Sequence, residues 1–227
     1  MCRFILYASK DGKKINIKKQ LTNFAQMCKK TNTPNGDKQE DGWGIYYVKN
    51  DKEYIFKSTK AIWEDKKLIN NFNTTSIFIA HARSASFLKH KNDLEFNQPF
   101  VKNNLVFVFN GSLKNVNLPY LIEGKIGSQK ILNLIIDINK KENNLKTSIK
   151  KAIHLIKKNT EKIFGLNFLI LNYKKIFVYS FATVYHSYYQ LYFFQNKKIL
   201  SLSSSPGIYP QIKQQKIPFD LVLEYTI

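Results

Sequence analysis

The chain has 227 residues, which is enough for one large domain or two small ones with a substantial buried core. Its hydrophobic content of 44%, with 13 Tyr and 17 Phe, excludes an intrinsically disordered chain. The formal net charge of +20 is compatible with a nucleic-acid or anionic-membrane partner. Because the lysines are spread along the chain and no nucleic-acid-binding motif accompanies them, neither nucleic acid nor a membrane is an expected partner.

No motif for a metal, a cofactor or a leader segment is visible in the chain. The two cysteines, Cys2 and Cys28, are too few for a disulfide framework or a cysteine-rich zinc site. The histidines lie far apart, without a pair at ligand spacing. The apolar run at residues 4–8 is shorter than the ~7–15 residues of a signal-peptide core, and no run approaches the ~20 residues of a membrane span. We therefore expect a cytoplasmic protein without a metal or cofactor.

Hydrophobic periodicity predicts the first elements of the chain. Residues 4–8 form a strand. An amphipathic helix follows, and its buried face carries Ile17, Leu21, Phe24, Ala25 and Cys28. The polar residues 32–41, which include a proline and a glycine, form a loop. Apolar runs at 45–48 and 54–57 flank a polar turn, so they predict a β-hairpin.

The middle of the chain alternates between strands and helices. Residues 61–73 predict a short helix, and residues 76–80 predict a strand that ends in polar residues. A second apolar strand is expected at 105–109. Residues 128–139 and 144–158 both have helical periodicity, the first heavily apolar and the second with lysines outside one apolar stripe.

The C-terminal part is rich in β-structure. Two hairpins are expected in one shared antiparallel sheet, formed by residues 166–171 with 175–180 and by residues 188–194 with 198–203. Residues 221–225 predict a last strand. No repeat or long linker divides the chain, so residues 1–227 are interpreted as one mixed α+β domain.

Cys2 is a candidate nucleophile because of its position. If Met1 is removed, one residue holds a thiol, with an ordinary pKa of about 8.5, and a free α-amine, with an ordinary pKa of about 7.7–8.0. Such an amine can accept the thiol proton, and the strand that follows would hold the nucleophile rigidly. The alternative is a small apolar side chain in the core that merely follows the start methionine.

Further polar residues follow the two apolar strands of the middle region. His81, Arg83 and Ser84 follow the strand at 76–80. A guanidinium such as that of Arg83 can bind a carboxylate in a bidentate manner. Asn110 and Gly111 are first of all a turn signal, but an amide and a neighbouring N–H can also form an oxyanion hole. Taken singly, His81 could be an oriented structural histidine and Arg83 a surface ion-pair residue.

Four segments, taken together and in order, resemble the class II glutamine amidotransferase family, whose members use an N-terminal nucleophile. They are residues 1–3 (Met-Cys-Arg), 41–44 (Asp-Gly-Trp-Gly), 81–86 (His-Ala-Arg-Ser-Ala-Ser) and 110–113 (Asn-Gly-Ser-Leu). The resemblance is to free-standing, single-domain members, and its motifs lie in the N-terminal part of the chain. Taken alone, Trp43 could equally be a core aromatic residue beside a tight turn.

The resemblance implies a four-layer αββα sandwich of two antiparallel sheets, the N-terminal-nucleophile hydrolase fold. It implies that Cys2 attacks the side-chain amide of glutamine or a γ-glutamyl compound, forming a thioester and releasing ammonia or an amine. Asn110 and Gly111 would form the oxyanion hole. The residues expected around the substrate are Arg83, His81, Ser84, Trp43, Gly44, Gln98 and Gly127. The ammonia would either pass to a partner enzyme or simply be released.

Two positions depart from the family pattern. Gln98 stands where a histidine is usual, and Gly127 stands where an aspartate contacts the α-ammonium of the substrate. Three explanations are open: a nearby acid such as Glu123 substitutes, the substrate lacks a free α-amine, or catalysis is weak. The alternative function is therefore a catalytically weak or inactive member that binds an amino-acid-like ligand.

Overall fold

The computed structural model describes residues 2–30, 36, 38–86, 88–206 and 213–227. In chain order they form β1 (Arg3–Ser9), β2 (Ile15–Asn16), α1 (Ile17–Lys29), β3 (Trp43–Lys49), β4 (Lys52–Ser58), α2 (Lys66–Ile69), β5 (Thr74–Thr75), β6 (Ile77–Ala82), β7 (Phe100–Lys102), β8 (Leu105–Val116), α3 (Gly127–Glu142), α4 (Leu145–Lys158), β9 (Thr160–Asn172), β10 (Lys175–Tyr179), α5 (His186–Tyr189), β11 (Tyr192–Gln195), β12 (Ile199–Ser203), β13 (Gln215–Lys216) and β14 (Leu223–Thr226). Half of the predicted loop at 32–41, residues 32–35 and 37, lies outside the described residues.

Two antiparallel sheets form the centre of the fold. The larger has the strand order β13-β11-β12-β1-β6-β3-β4, and the smaller has the order β14-β10-β9-β8-β7. β1 occupies the middle of the larger sheet, where Ile5 pairs with Ser203 of β12 on one side and with Ala80 of β6 on the other. The first residues of the chain are therefore held from both sides.

Alternation along the strands produces three apolar layers. Phe4 and Leu6 of β1 pack between the sheets with Val106 and Val108 of β8. The intervening residues of β1 face α1 on the outer side of the larger sheet. On the other sheet, alternate residues such as Phe107 pack against α3 and α4. Three apolar layers separate four layers of secondary structure, so the predicted αββα sandwich is confirmed.

The amphipathic helices form where their periodicity predicts, and asparagine side chains cap the starts of two of them. The Asn16 side chain accepts a hydrogen bond from the Lys19 N–H (2.9 Å) at the start of α1, and Asn144 accepts one from Thr147 N–H (3.0 Å) at the start of α4. Cys28 is fully buried on the inner face of α1, as predicted. None of the helices in the described ranges is both long enough and apolar enough to cross a membrane.

Two predictions about elements are wrong. Only Lys66–Ile69 is helical within the helix expected at 61–73, because the flanking Asp and Asn residues favour turns over a helix interior. The two C-terminal hairpins also do not share a sheet: β9 and β10 belong to the smaller sheet, and β11 and β12 to the larger. The short helix α5 lies between them, and local alternation does not specify which sheet a hairpin joins.

The expected turn at Asn110 and Gly111 is also absent, because β8 continues through both residues to Val116. Asn110 pairs with Asn167 of β9, and Gly111 pairs with Leu166. A Cβ atom at Gly111 would lie 2.1 Å from the Gly165 carbonyl oxygen. The glycine therefore permits a close approach of two strands, which is a different use of glycine from the positive φ of a turn.

Gly165 is the matching contact on β9, and its substitution should destabilise the fold. A Cβ there would lie 2.3 Å from the Tyr189 ring, so we expect Gly165→Ala to lower the free energy of unfolding by about 1–3 kcal/mol. Gly127→Ala is the control, since a Cβ at Gly127 meets nothing within 4 Å. Urea unfolding followed by tryptophan fluorescence measures both, and equal midpoints would contradict the prediction.

Candidate active site

Cys2 lies directly before β1 and opens into a cavity of about 660 Å³. Its side chain is half-buried, and its Sγ lies 3.7 Å from the Ser84 carbonyl oxygen. The cavity collects the following residues singled out in the sequence: Cys2, Arg83, Ser84, Gln98, Gly111 and Gly127. Residues far apart in the chain meet here because β1 begins, β6 ends and the middle of β8 passes at this edge of the sandwich.

Trp43 and Gly44 do not line this cavity. Trp43 is fully buried in the apolar layer between the larger sheet and α1, where its Nε1–H donates to Asp65 Oδ2 (2.9 Å). A Cβ at Gly44 would lie 2.5 Å from the Gln98 carbonyl oxygen. The structure therefore places Trp43 in the core and uses Gly44 to let the chain at Gln98 approach β3.

His81 is completely buried beneath the cavity edge, and its Nε2–H donates to the Phe109 carbonyl oxygen at 3.3 Å. Burial, the largest cause, and the nearby positive charge of Arg83 together lower the pKa of His81 from 6.5 to about 3, against the opposing effect of the hydrogen bond to Phe109. The imidazole is therefore neutral at physiological pH. Its hydrogen bond to Phe109 links β6 of the larger sheet to β8 of the smaller sheet.

Arg83 is buried, with 6% of its surface exposed, and its guanidinium points into the loop that follows β6. It donates to the His90 carbonyl oxygen at 2.6 Å and, at 3.4 Å, to the Lys91 carbonyl oxygen and to Asn97 Oδ1. These bonds leave part of the donor capacity of the guanidinium unused. The cation is thus fixed in place at the cavity wall, next to Cys2 and Ser84.

The segment at Asp41 and Gly42 accepts hydrogen bonds from the backbone of Arg83 and of the loop that follows it. Gly42 has a φ of +107°, and its carbonyl oxygen accepts a hydrogen bond from the Arg83 N–H (2.8 Å). A Cβ at Gly42 would lie 2.2 Å from the Asn97 side-chain nitrogen, so only glycine fits here. Asp41 Oδ2 accepts from the Ala85 N–H (2.7 Å) and so holds the loop after the arginine.

Asn110 lies in the interior, fully buried, and neither atom of its side-chain amide has a hydrogen-bond partner among the described residues. Alternation along β8 puts it on the same inter-sheet face as Val106 and Val108. Cys2 continues the same alternation on β1, on the face of Phe4. A buried amide without partners is costly to the fold, and Asn110 itself is not among the residues that line the cavity.

The adjacent Asn167 contrasts with Asn110, because its amide is well satisfied. Its Nδ2 donates to the Tyr189 carbonyl oxygen at 2.6 Å, and its Oδ1 accepts from Ser180 Oγ and from the Phe181 N–H at 3.0 and 3.1 Å. Asn167 thereby fixes α5 against β9. The presence of an asparagine within the apolar run 166–171 was the sequence signal that could have indicated this role.

Arg3, Tyr188 and Ser204 hold the start of β1, and sequence reasoning missed their role. The Arg3 guanidinium donates to the Ser204 and Tyr188 carbonyl oxygens and lies 4.0 Å from the centre of the Tyr188 ring. The Tyr188 hydroxyl donates to the Cys2 carbonyl oxygen at 3.3 Å. These contacts position the backbone of Cys2 and the first residue of β1.

Glu123 does not take the position of the missing aspartate. It is exposed, and its carboxylate pairs with Lys102 Nζ at 3.3 Å outside the cavity lining. Within the described ranges, no group of three or more His, Cys, Asp or Glu side chains could bind a metal ion.

The buried, neutral His81 should make stability depend on pH. The unfolded chain binds a proton at this residue below pH 6.5, whereas the folded chain does so only near pH 3. Stability is therefore lost as the pH falls, by about 2 kcal/mol between pH 7 and 5. We expect His81→Gln to show a smaller loss than the wild type in urea unfolding at the two pH values. His154→Gln, on the exposed side of α4, is the control, and identical slopes for all three proteins would contradict the prediction.

Comparison with known proteins supplies the family. The model for glutamine amidotransferases class-II matches residues 1–194. No curated protein matches the chain in sequence. Among solved structures, a glutamine aminotransferase class-II domain protein from Silicibacter pomeroyi aligns with a TM-score of 0.67 and 11% identity, over 100% of this chain and 95% of that one.

Two further structures have the same fold. A predicted glutamine amidotransferase from Pseudomonas aeruginosa aligns with a TM-score of 0.59 and 12% identity, over 100% of this chain and 94% of that one. The glutamine phosphoribosylpyrophosphate amidotransferase from B. subtilis aligns with a TM-score of 0.62 and 16% identity. This alignment covers 96% of this chain but 44% of that enzyme. At these identities the structures support the fold alone. The match of the family model over most of the chain shows that it belongs to the class II glutamine amidotransferase family.

Proposed function

We propose that this chain is an amide hydrolase of the glutamine amidotransferase type, with Cys2 as its nucleophile once Met1 is removed. The substrate is the side-chain amide of glutamine or of a γ-glutamyl compound. The observation that carries the proposal is the cavity in which the half-buried Cys2 thiol, the fixed Arg83 guanidinium and the Gly111 backbone meet. The buried amide of Asn110, which has no hydrogen-bond partner among the described residues, faces the space between the two sheets, as Cys2 does.

The first step is attack on the amide carbonyl. The Cys2 α-amine takes the thiol proton, a C–S bond forms, and negative charge develops on the carbonyl oxygen. The Asn110 amide supplies a donor for that oxyanion, beside Gly111 in the same strand. A donor placed in this way contributes about 10²–10³ in kcat, because it is oriented before the charge develops.

The second step breaks the C–N bond and restores the enzyme. The α-amine returns its proton to the leaving nitrogen, ammonia or an amine departs, and a thioester remains on Cys2. Water then attacks the thioester, yielding a free carboxylate and the thiol. The ammonia is either released or passed to a partner enzyme. His81 is buried and neutral and contributes position rather than proton transfer.

Arg83 is suited to bind the carboxylate of the substrate. Its guanidinium is already held by three acceptors of the loop, so little side-chain entropy is lost on binding. A carboxylate there would form charge-assisted hydrogen bonds in a site largely shielded from water. Ser84 continues this wall of the cavity, next to the Cys2 sulfur.

A covalent probe tests the nucleophile. We expect the intact mass of the purified protein to show that Met1 is absent. After incubation with a diazoketone analogue of glutamine, the mass should increase by one covalent adduct. The analogue is tested in two forms, one with a free α-amine and one with an acetylated α-amine. Cys2→Ala should gain none and should lose ammonia release from amides by at least 10³-fold. Cys28→Ala is the matched control, since Cys28 is fully buried under α1.

Other outcomes have definite meanings. A retained Met1 would block the α-amine and contradict the mechanism. A protein that lacks Met1 but gives neither adduct nor ammonia, yet is stabilised thermally by the analogue, would support the alternative of a non-catalytic member that binds an amino-acid-like ligand. The absence of the usual acid at Gly127 is the observation that favours that alternative.

Tyr188 positions Cys2 and should affect turnover rather than folding. Tyr188→Phe removes the hydrogen bond to the Cys2 carbonyl oxygen but keeps the ring under the Arg3 guanidinium. One such bond contributes about 0.5–1.5 kcal/mol, so we expect kcat to fall by about 2- to 10-fold with KM unchanged, while Tm falls by at most a few degrees. Tyr173→Phe, at the exposed β9–β10 turn, is the control. An equal change in kcat for both variants would contradict this role.

A further inference from the structure

The cavity at Cys2 contains positive charge and no carboxylate. Among its described lining residues none is Asp or Glu, whereas Arg83, Lys114 and Lys130 are cations. Arg83 is nine-tenths buried, so its charge is little screened by water. A substrate carboxylate is favoured in such a cavity, and a substrate ammonium is not.

The acidic side chains of the surrounding loops are already engaged elsewhere. Each has a cationic or histidine partner: Asp41 with Lys91 (3.1 Å), Asp93 with His90 (2.9 Å), Glu95 with Lys125 (2.9 Å) and Glu123 with Lys102 (3.3 Å). None of the four acids lines the cavity. An α-ammonium that entered would lose its water without gaining a counter-ion, which is unfavourable for a charge.

Steric hindrance does not explain why position 127 is a glycine and not an acidic residue. Gly127 is the first residue of α3 and lines the cavity, and a Cβ built there has nothing within 4 Å. A carboxylate at the start of a helix would also interact favourably with the helix dipole. This chain leaves the position without a side chain, so the cavity stays open and without negative charge at this point.

The side of the cavity that adjoins α3 is apolar. It is lined by Leu113, Leu118, Ile122, Ile126, Ile131 and Leu134. The volume of about 660 Å³ lies within the ~300–1,000 Å³ typical of sites for drug-sized ligands. A free amino acid the size of glutamine would leave this apolar wall uncovered. Each CH₂ group buried against such a wall raises affinity about fourfold.

These observations together identify a substrate class. We infer that the acyl donor is a glutamine whose α-nitrogen carries an apolar acyl group, which removes the ammonium and covers the apolar wall. The inference rests on the proposed hydrolase function of Cys2. Arg83 binds the α-carboxylate, the side-chain amide lies at Cys2, and the acyl chain extends past Gly127 along α3. The reaction consumes one water and yields an N-acylglutamate and ammonia.

A substrate series tests the inference. Ammonia release by the wild-type protein is measured with glutamine, N-acetylglutamine, N-hexanoylglutamine and γ-glutamylhexylamide, the last by hexylamine release. We expect kcat/KM to be at least 10-fold higher for N-acetylglutamine than for glutamine, and at least 10-fold higher again for the hexanoyl compound. Faster turnover of glutamine or γ-glutamylhexylamide would overturn the substrate class and leave the Cys2 hydrolase intact. No product from any of the four would overturn both.

Variants at Gly127 locate the α-nitrogen. Gly127→Asp should have a kcat/KM for glutamine at least 10-fold higher than that of the matched Gly127→Asn. Its kcat/KM for N-hexanoylglutamine should be lower than that of Gly127→Asn by a similar factor. Leu118→Ala, in the loop before α3, should reduce kcat/KM for N-hexanoylglutamine several-fold more than kcat/KM for N-acetylglutamine. If Gly127→Asp and Gly127→Asn share the wild-type preference, the acyl group does not lie beside α3 and the inference is overturned.

Discussion

The position of β1 in the middle of the larger sheet is the constraint on which the rest of the site depends. Its neighbours β6 and β12 hydrogen-bond it from both sides, and apolar layers cover both of its faces. At its start, Phe4 N–H donates to Ser204 Oγ at 2.8 Å, and the Ser204 N–H donates to the Phe4 carbonyl oxygen at 3.0 Å. Cys2 therefore extends from a strand that is paired on both sides and covered on both faces, as its proposed role as a nucleophile requires.

The site combines satisfied and unsatisfied polar groups in a defined pattern. Asn167, Arg3 and Arg83 find protein acceptors and fix α5, β1 and the loop after β6. Asn110 has no partner among the described residues although it is completely buried. The satisfied groups fix the scaffold, and the unsatisfied amide is the group to which the proposed function assigns the stabilisation of the oxyanion. That division is the expected cost of a preorganised site within an otherwise well-packed fold.

Much of the fold was readable from short-range patterns. The amphipathic periodicity of α1 placed Cys28 in the core, and the side chains of Asn16 and Asn144 cap helices as their residue types favour. Patterns of this kind depend on neighbours within one or two turns, so the sequence displays them directly. The turn expected at Asn110 is absent because pairing with β9 overrides local preference, whereas the helix expected at 61–73 was wrong because its own Asp and Asn residues favour turns. The roles of Tyr188 and Ser204 had no local signal at all.

The sequence by itself determined the family resemblance, the strand at residues 4–8 and the residue types available for chemistry. Only the tertiary structure decided that the two C-terminal hairpins enter different sheets and that Gly111 serves a close strand contact. It alone showed Glu123 paired with Lys102 outside the cavity, which leaves the region around Gly127 without a carboxylate. The physical reason is the same in each case: these properties depend on which distant groups share space, and only long-range packing settles that.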